Sequence, residues 1–361
     1  MKKTSKRFFV LAILMVASVC SYAQGLTATL QQGGKMTPYY GVDAFKEAYA
    51  AASNGAVITL SAGTFNTVDR ITKQITVIGN GAIGNNKTIL QQYNHSTEGW
   101  VQLIINANNV TIEGISKKFS DDRIIISGVS NTKIRYCDIA EIKATSTHTN
   151  TIIDQCRIAK ENALYYGKNY SFKNTIVDYF LINNTSSNMA YFTNCLLRRY
   201  RYYNKTSSST TNYLYDIYAV FKNCLIGSYY YDYTKTNETS SNYSGGHYLV
   251  VDAPSSSEFY NNVFFYDSSN NLTLKSIPTG FNCTGNIIAI YNDLFNTSNQ
   301  FYEEGYIKTT LTGDDGKQVG PYGGSGFSMI PSIPRITEST IDSYTNAEGK
   351  INVKIKVENN K

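Results

Sequence analysis

The chain is short of the groups that usually carry chemistry. It has three histidines, one tryptophan and six cysteines in 361 residues. No C-x-x-C pair occurs, and no histidine lies near a cysteine, so a structural zinc site is not expected. There is no G-x-S-x-G elbow and no cysteine beside a candidate histidine, which removes the usual nucleophilic arrangements. "GNGAIGNN" (79–86) reads as a turn between short β-type runs and not as a phosphate loop opening a helix. No catalytic residue, metal or cofactor is therefore assigned. Long apolar runs are also missing. The one run present, Phe8 to Val19, is too short to span a bilayer.

That run has a different meaning. "MKKTSKRFFVLAILMVASVCSYAQ" pairs a basic start with an apolar stretch and small residues, and Ser21-Tyr22-Ala23 fits an export-signal cut before Gln24. Residues 1–23 are read as a signal peptide and the product as secreted or cell-surface, with the periplasm the other destination such a signal allows. A lipoprotein reading would acylate Cys20, but Val19 is a poor residue before it. Removing the signal takes away Lys2, Lys3, Lys6 and Arg7 and no acid, so the formal charge falls from +6 to +2. A nucleic-acid partner loses its electrostatic basis. Five cysteines remain, an odd number that rules out complete pairing within one chain.

What the sequence does have is a repeat. "KIRYCDIAEI" (from Lys133), "IIDQCRIAKE" (Ile152), "SFKNTIVDYF" (Ser171), "YFTNCLLRRY" (Tyr191), "VFKNCLIGSY" (Val220), "EFYNNVFFYD" (Glu258) and "NCTGNIIAIY" (Asn282) share one pattern. Their leading positions Ile134, Ile153, Phe172, Phe192, Phe221 and Phe259 are 19, 19, 20, 29 and 38 residues apart. A looser copy begins at Val110. A β-rich unit near 20 residues with variable insertions predicts an all-β, right-handed parallel β-helix of about ten coils. The same alignment puts Cys137, Cys156, Cys195 and Cys224 in one column with Thr175, Asn262 and Asn286. These are read as buried, reduced small side chains, with a Cys137–Cys156 disulfide the alternative.

Ahead of the repeat, Ala44, Phe45, Ala48, Ala51 and Ala52 fall at helical spacing and stop at Gly55. A helix there would cover the open end of a solenoid. "EAYAAASNGAVITLSAGTF" followed by "ITKQITVIGNG" resembles the opening of pectate-lyase-like proteins, and the coils to about residue 300 resemble the same superfamily. The resemblance implies the fold, with polysaccharide lyases and glycoside hydrolases as its usual enzymes. After the helical part (24–312), residues 313–336 have a Gly/Pro-rich linker composition. In 337–361, Ile351, Val353, Ile355 and Val357 alternate with polar residues, as in one strand of a hairpin that serves as a cap or a sorting tag. This ending resembles uncharacterised secreted β-helix proteins of gut Bacteroidetes.

Candidate chemistry is thin. Glycoside hydrolysis needs paired carboxylates. The acidic pair Asp121 and Asp122 reads as a turn before a strand, and no Gly-His-Gly is present. Asp138 with Arg157, and Asp154 with Arg135, read as solvated cross-coil pairs. His95 and His148 sit in polar stretches and are expected to be solvated. What stands out is two tyrosine-rich insertions, 198–217 and 227–256, holding more than a third of the 30 tyrosines. Tyrosine rings stack on sugar faces, and arginine can clamp an acidic sugar. The expected ligand-binding residues are Arg198, Arg199, Arg201, Tyr202, Tyr203, Tyr229, Tyr230, Tyr231 and His247. A polysaccharide or surface glycan is the expected partner. The alternative is a polysaccharide lyase that uses a tyrosine or histidine base and an arginine to cleave an acidic polysaccharide by β-elimination.

Overall fold

The computed structural model describes residues 25–91, 102–116, 122–163, 167–180, 189–200, 212–213, 219–227, 248–250, 257–266, 273–276, 283–296, 298–299, 305–308, 311–331, 335–341, 348, 350 and 353–358. Its strands stack mainly in two long sheets, one of 12 strands and one of 13, in which nearly every neighbour is parallel. The architecture is an all-β parallel solenoid. Each coil contributes a strand to the first sheet, turns a corner, and contributes a strand to the second.

The leading positions of the repeat lie in register. Ile134 pairs with Ile153, and the column continues through Phe172, Phe192, Phe221 and Phe259. Upstream it extends through Ile112 and Val77 to Ile58. Every member is buried. Parallel in-register stacking places like side chains about 4.8 Å apart, which suits offset aromatic stacking. The four phenylalanines accordingly stack with centroids 4.9 Å apart and interplanar angles of 8–11°.

The corner that follows needs a left-handed backbone. Gly114, Tyr136, Gln155, Asn174, Asn194, Asn223, Asn261 and Gly285 all have φ between 44° and 66°. Asparagine and glycine enter this region at low cost. Tyrosine does not, but here the Arg135 guanidinium lies over the Tyr136 ring at 5.0 Å and donates to its hydroxyl at 3.1 Å.

One residue on is the small-side-chain column. Cys137, Cys156, Cys195 and Cys224 are buried and free, and each thiol donates to the carbonyl two residues back, over 3.0–3.4 Å. Thr175 does the same with its hydroxyl at 2.7 Å. The position selects a small donor, whether sulfur or oxygen. In the later coils Asn262 and Asn286 link the ladder instead, with Asn286 Oδ1 accepting from the Asn262 backbone N–H at 3.0 Å.

Helix α1 (Ala44–Ala51) buries Ala44, Phe45, Ala48 and Tyr49. Ala51, expected on that face, is exposed, and Tyr49 occupies it instead. The helix packs on the first strands of both sheets. Before it, Thr27–Gln32 and Lys35–Tyr40 form an antiparallel hairpin, closed by Gly33 and Gly34 at φ 56° and 74°. Two positive φ values in sequence suit the right-handed twist of a two-residue hairpin loop. The first of these strands also pairs antiparallel with Ala56–Leu60.

The stretch with linker composition is packed. Residues 311–331 lie against the outside of the second sheet and the corner column. Val319, with Leu294, Phe295 and Tyr306, covers Ile176, Leu196, Leu225 and Val263. The segment ends near the early coils, where Met329 accepts from the Ala82 N–H at 2.9 Å. Farther on, Arg335–Ile341 and Val353–Glu358 pair antiparallel, Ile336 opposite Val357.

Candidate binding surface

The two tyrosine-rich insertions begin side by side. Leu196 pairs with Leu225 and Leu197 with Ile226, so Arg198 abuts Gly227 on the next coil. A Cβ on Gly227 would collide with the Arg198 carbonyl and the Phe265 ring, which explains the glycine. Segments of the insertions also pair with each other. Asn212–Tyr213, Tyr248–Val250 and Thr273–Ser276 form a third, short parallel sheet, with Asn212 opposite Leu249 and Tyr213 opposite Val250. The coils therefore have a third side, on which long excursions from adjacent coils run in the same direction.

Of the expected binding residues, Arg198 is described in full. It pairs with Asp178 on the neighbouring coil at 2.9 Å and is only 19% exposed. Burial works against its charge, but Asp178 with Tyr306 and Tyr291 outweighs that and raises its pKa. The two tyrosine hydroxyls bond each other at 3.0 Å. Burial, with that bond, raises the Tyr306 pKa. Arg198 thus sits at the root of the insertion, tied to the sheet beneath it. Arg199 lies in the strand Leu196–Tyr200, opposite Tyr179. Arg201, Tyr202, Tyr203, Tyr229, Tyr230, Tyr231 and His247 lie outside the described residues, as do His95 and Asp121.

The other charged groups form cross-coil ladders. Arg135 bridges Glu113 and Asp154, each at 3.3 Å. Burial raises both carboxyls, and Arg135 partly offsets it. Asp138 and Arg157 pair at 3.4 Å. The side chains of this last pair are 12% and 16% exposed, so it is largely buried, where a solvated pair was expected.

His148 departs from expectation entirely. It is fully buried, its Nδ1 bonded to Thr151 Oγ1 at 2.8 Å, while its ring packs on Tyr170 at 5.7 Å. Burial lowers its pKa from 6.5 to about 4. Its Nε2 has no hydrogen-bond partner.

A small cavity was not foreseen either. Between Ile115–Ser116 and Arg123–Ile126, two strands that pair with the same strand Asp138–Ala144, a cavity of about 40 Å³ reaches the interior. Ser116, Asp122, Arg123 and Asp138 line it with Ile112, Ile124 and Ile139. Among the described residues no group of three His, Cys, Asp or Glu is placed to hold a metal, and no helix is long and apolar enough to cross a membrane.

No family model, no curated protein and no solved structure matches the chain.

Proposed function

We propose that this is an exported glycan-binding solenoid whose reading surface is built by the insertions 198–217 and 227–256. We take its coils to be right-handed, in the pectate-lyase-like manner, with α1 closing one end. The observation that carries the reading is the shared register. The insertions leave hydrogen-bonded neighbouring strands at adjacent positions, and parts of them pair again through Tyr213 and Val250. A surface repeating at about the coil spacing and dense in tyrosine offers flat faces and hydroxyl edges at low entropic cost. Arg199 and Arg201 supply cations for an acidic sugar.

The test is a glycan array probed with residues 24–361. Retention without product is expected, and Tyr202→Ala with Tyr230→Ala should lower it at least about tenfold, the loss of two stacking contacts. Retention unchanged in the double variant would refute the assignment. Release of unsaturated, absorbing ends from uronate polymers would favour the lyase reading instead.

A further inference from the structure

Coils of a solenoid normally touch only their neighbours, so stability is close to a sum of adjacent terms and the array can open piecemeal. Residues 311–331 break that rule. The segment starts at the last coils, where Gly313 lies against Asn261 and Asp314 against Gly285. It then runs back along the corner column. Gly320 donates to the Asn223 carbonyl at 2.8 Å, and Asn194 Nδ2 donates to the Gln318 carbonyl at 2.9 Å. Asn174 Nδ2 donates to the carbonyls of Pro321 and Gly323 at 2.8 and 2.5 Å, and Ser325 Oγ donates to Asn174 Oδ1 at 3.0 Å. Finally, Pro331 presses on Gly114, and Met329 accepts from Ala82. From the coil of Gly79 to that of Gly285 is eight steps of about 4.8 Å, or about 38 Å.

The glycines in this segment serve close approach. A Cβ on Gly323 would collide with Asn194, and one on Gly320 would press on Leu225. The anchoring asparagines have two tasks, since each holds the left-handed corner and donates its amide to the segment.

We propose that residues 311–331 are a lengthwise clasp, closing after the coils have stacked, that makes the early and late coils unfold as one unit. The order follows from loop closure. Asn174 and its acceptors are 147 and 149 residues apart, and the acceptors need corners from several finished coils, so these bonds form late. Interactions absent from the folding transition state slow unfolding and leave folding almost untouched.

The experiment compares Asn174→Gly/Asn194→Gly with Asn131→Gly/Asn150→Gly. Glycine keeps the positive φ in both pairs and removes only the amides. The control amides bond just the next coil, Asn131 to Asn109 and Asn150 to Asn131. Unfolding and refolding rates are measured in denaturant, with hydrogen exchange at the Ala82 and Gly320 amides. The clasp pair should unfold about tenfold faster, refold within about twofold of the parent rate, and lose protection at both amides. The control pair should keep that protection. A clasp pair that refolds more slowly at an unchanged unfolding rate would overturn the proposal. Should the clasp pair not fold, a protease site placed after Asp315, in an exposed turn, is cut in the folded protein. The nicked chain should unfold about tenfold faster than the intact one. Unfolding at the intact rate would overturn the proposal.

Discussion

At the scale of single residues, His148 shows how burial becomes pH dependence. Its folded pKa is depressed to about 4 from 6.5. Its stabilising contribution is therefore complete above pH 6.5 and is lost as pH falls toward and through 4. The expected loss by pH 4.5 is about 2–3 kcal/mol. Denaturant titrations at pH 7 and 4.5 should show a smaller difference for His148→Gln than for the parent by about that amount, whereas equal differences would contradict the burial. The polar surroundings "ATSTHTN" concealed this site. Thr151 satisfies Nδ1 internally, so the polar neighbours line a corner and not a solvated loop. The thiols make a second residue-scale prediction. Cys137, Cys156, Cys195 and Cys224 are buried, while Cys283 is half-buried. A thiol reagent should modify one cysteine of native 24–361 and five after unfolding. Fewer than five after unfolding would reveal a disulfide.

At the scale of elements, the phenylalanine stack is the clearest product of register. Phe192 sits between Phe172 and Phe221 with both rings at 4.9 Å. Phe192→Ala should cost about 3–5 kcal/mol by equilibrium unfolding, because rings held by two neighbouring coils cannot collapse into the void. A cost below about 1 kcal/mol would mean the stack is not the packed core described. This column was legible in the sequence because insertions lengthen only the third side of a coil and leave the strand pattern intact. Two elements were not read. The hairpin 27–40 carries its turn signal in Gly33-Gly34, but its second strand is exposed along most of its length and lacks apolar alternation. Residues 311–331 have the composition of a linker because close packing against asparagine corners and flexible tethering both select glycine. Only a contact such as Gly323 on Asn194 tells them apart.

At the scale of the whole molecule, two long, mainly parallel sheets form the frame, and the two tyrosine-rich insertions leave it from neighbouring strands. The spacing of the repeat located both tyrosine-rich insertions, and the strand register brings their starting points together. The spacing did not reveal that Arg198 is committed to Asp178, because that pairing depends on cross-coil register. The cavity beside Asp122 was hidden for a similar reason, since its lining comes from several coils, with Leu90, Leu103, Ile112, Ile124 and Ile139 among it. If the frame and the reading surface are separable, the insertions can be removed without unfolding the coils. The decisive measurement is array retention of 24–361 beside a chain in which 201–211 and 228–247 are each replaced by a short Gly/Asn turn. Loss of glycan retention with an unchanged cooperative unfolding midpoint is expected. Undiminished retention by the trimmed chain would contradict the glycan-binding role of the insertions.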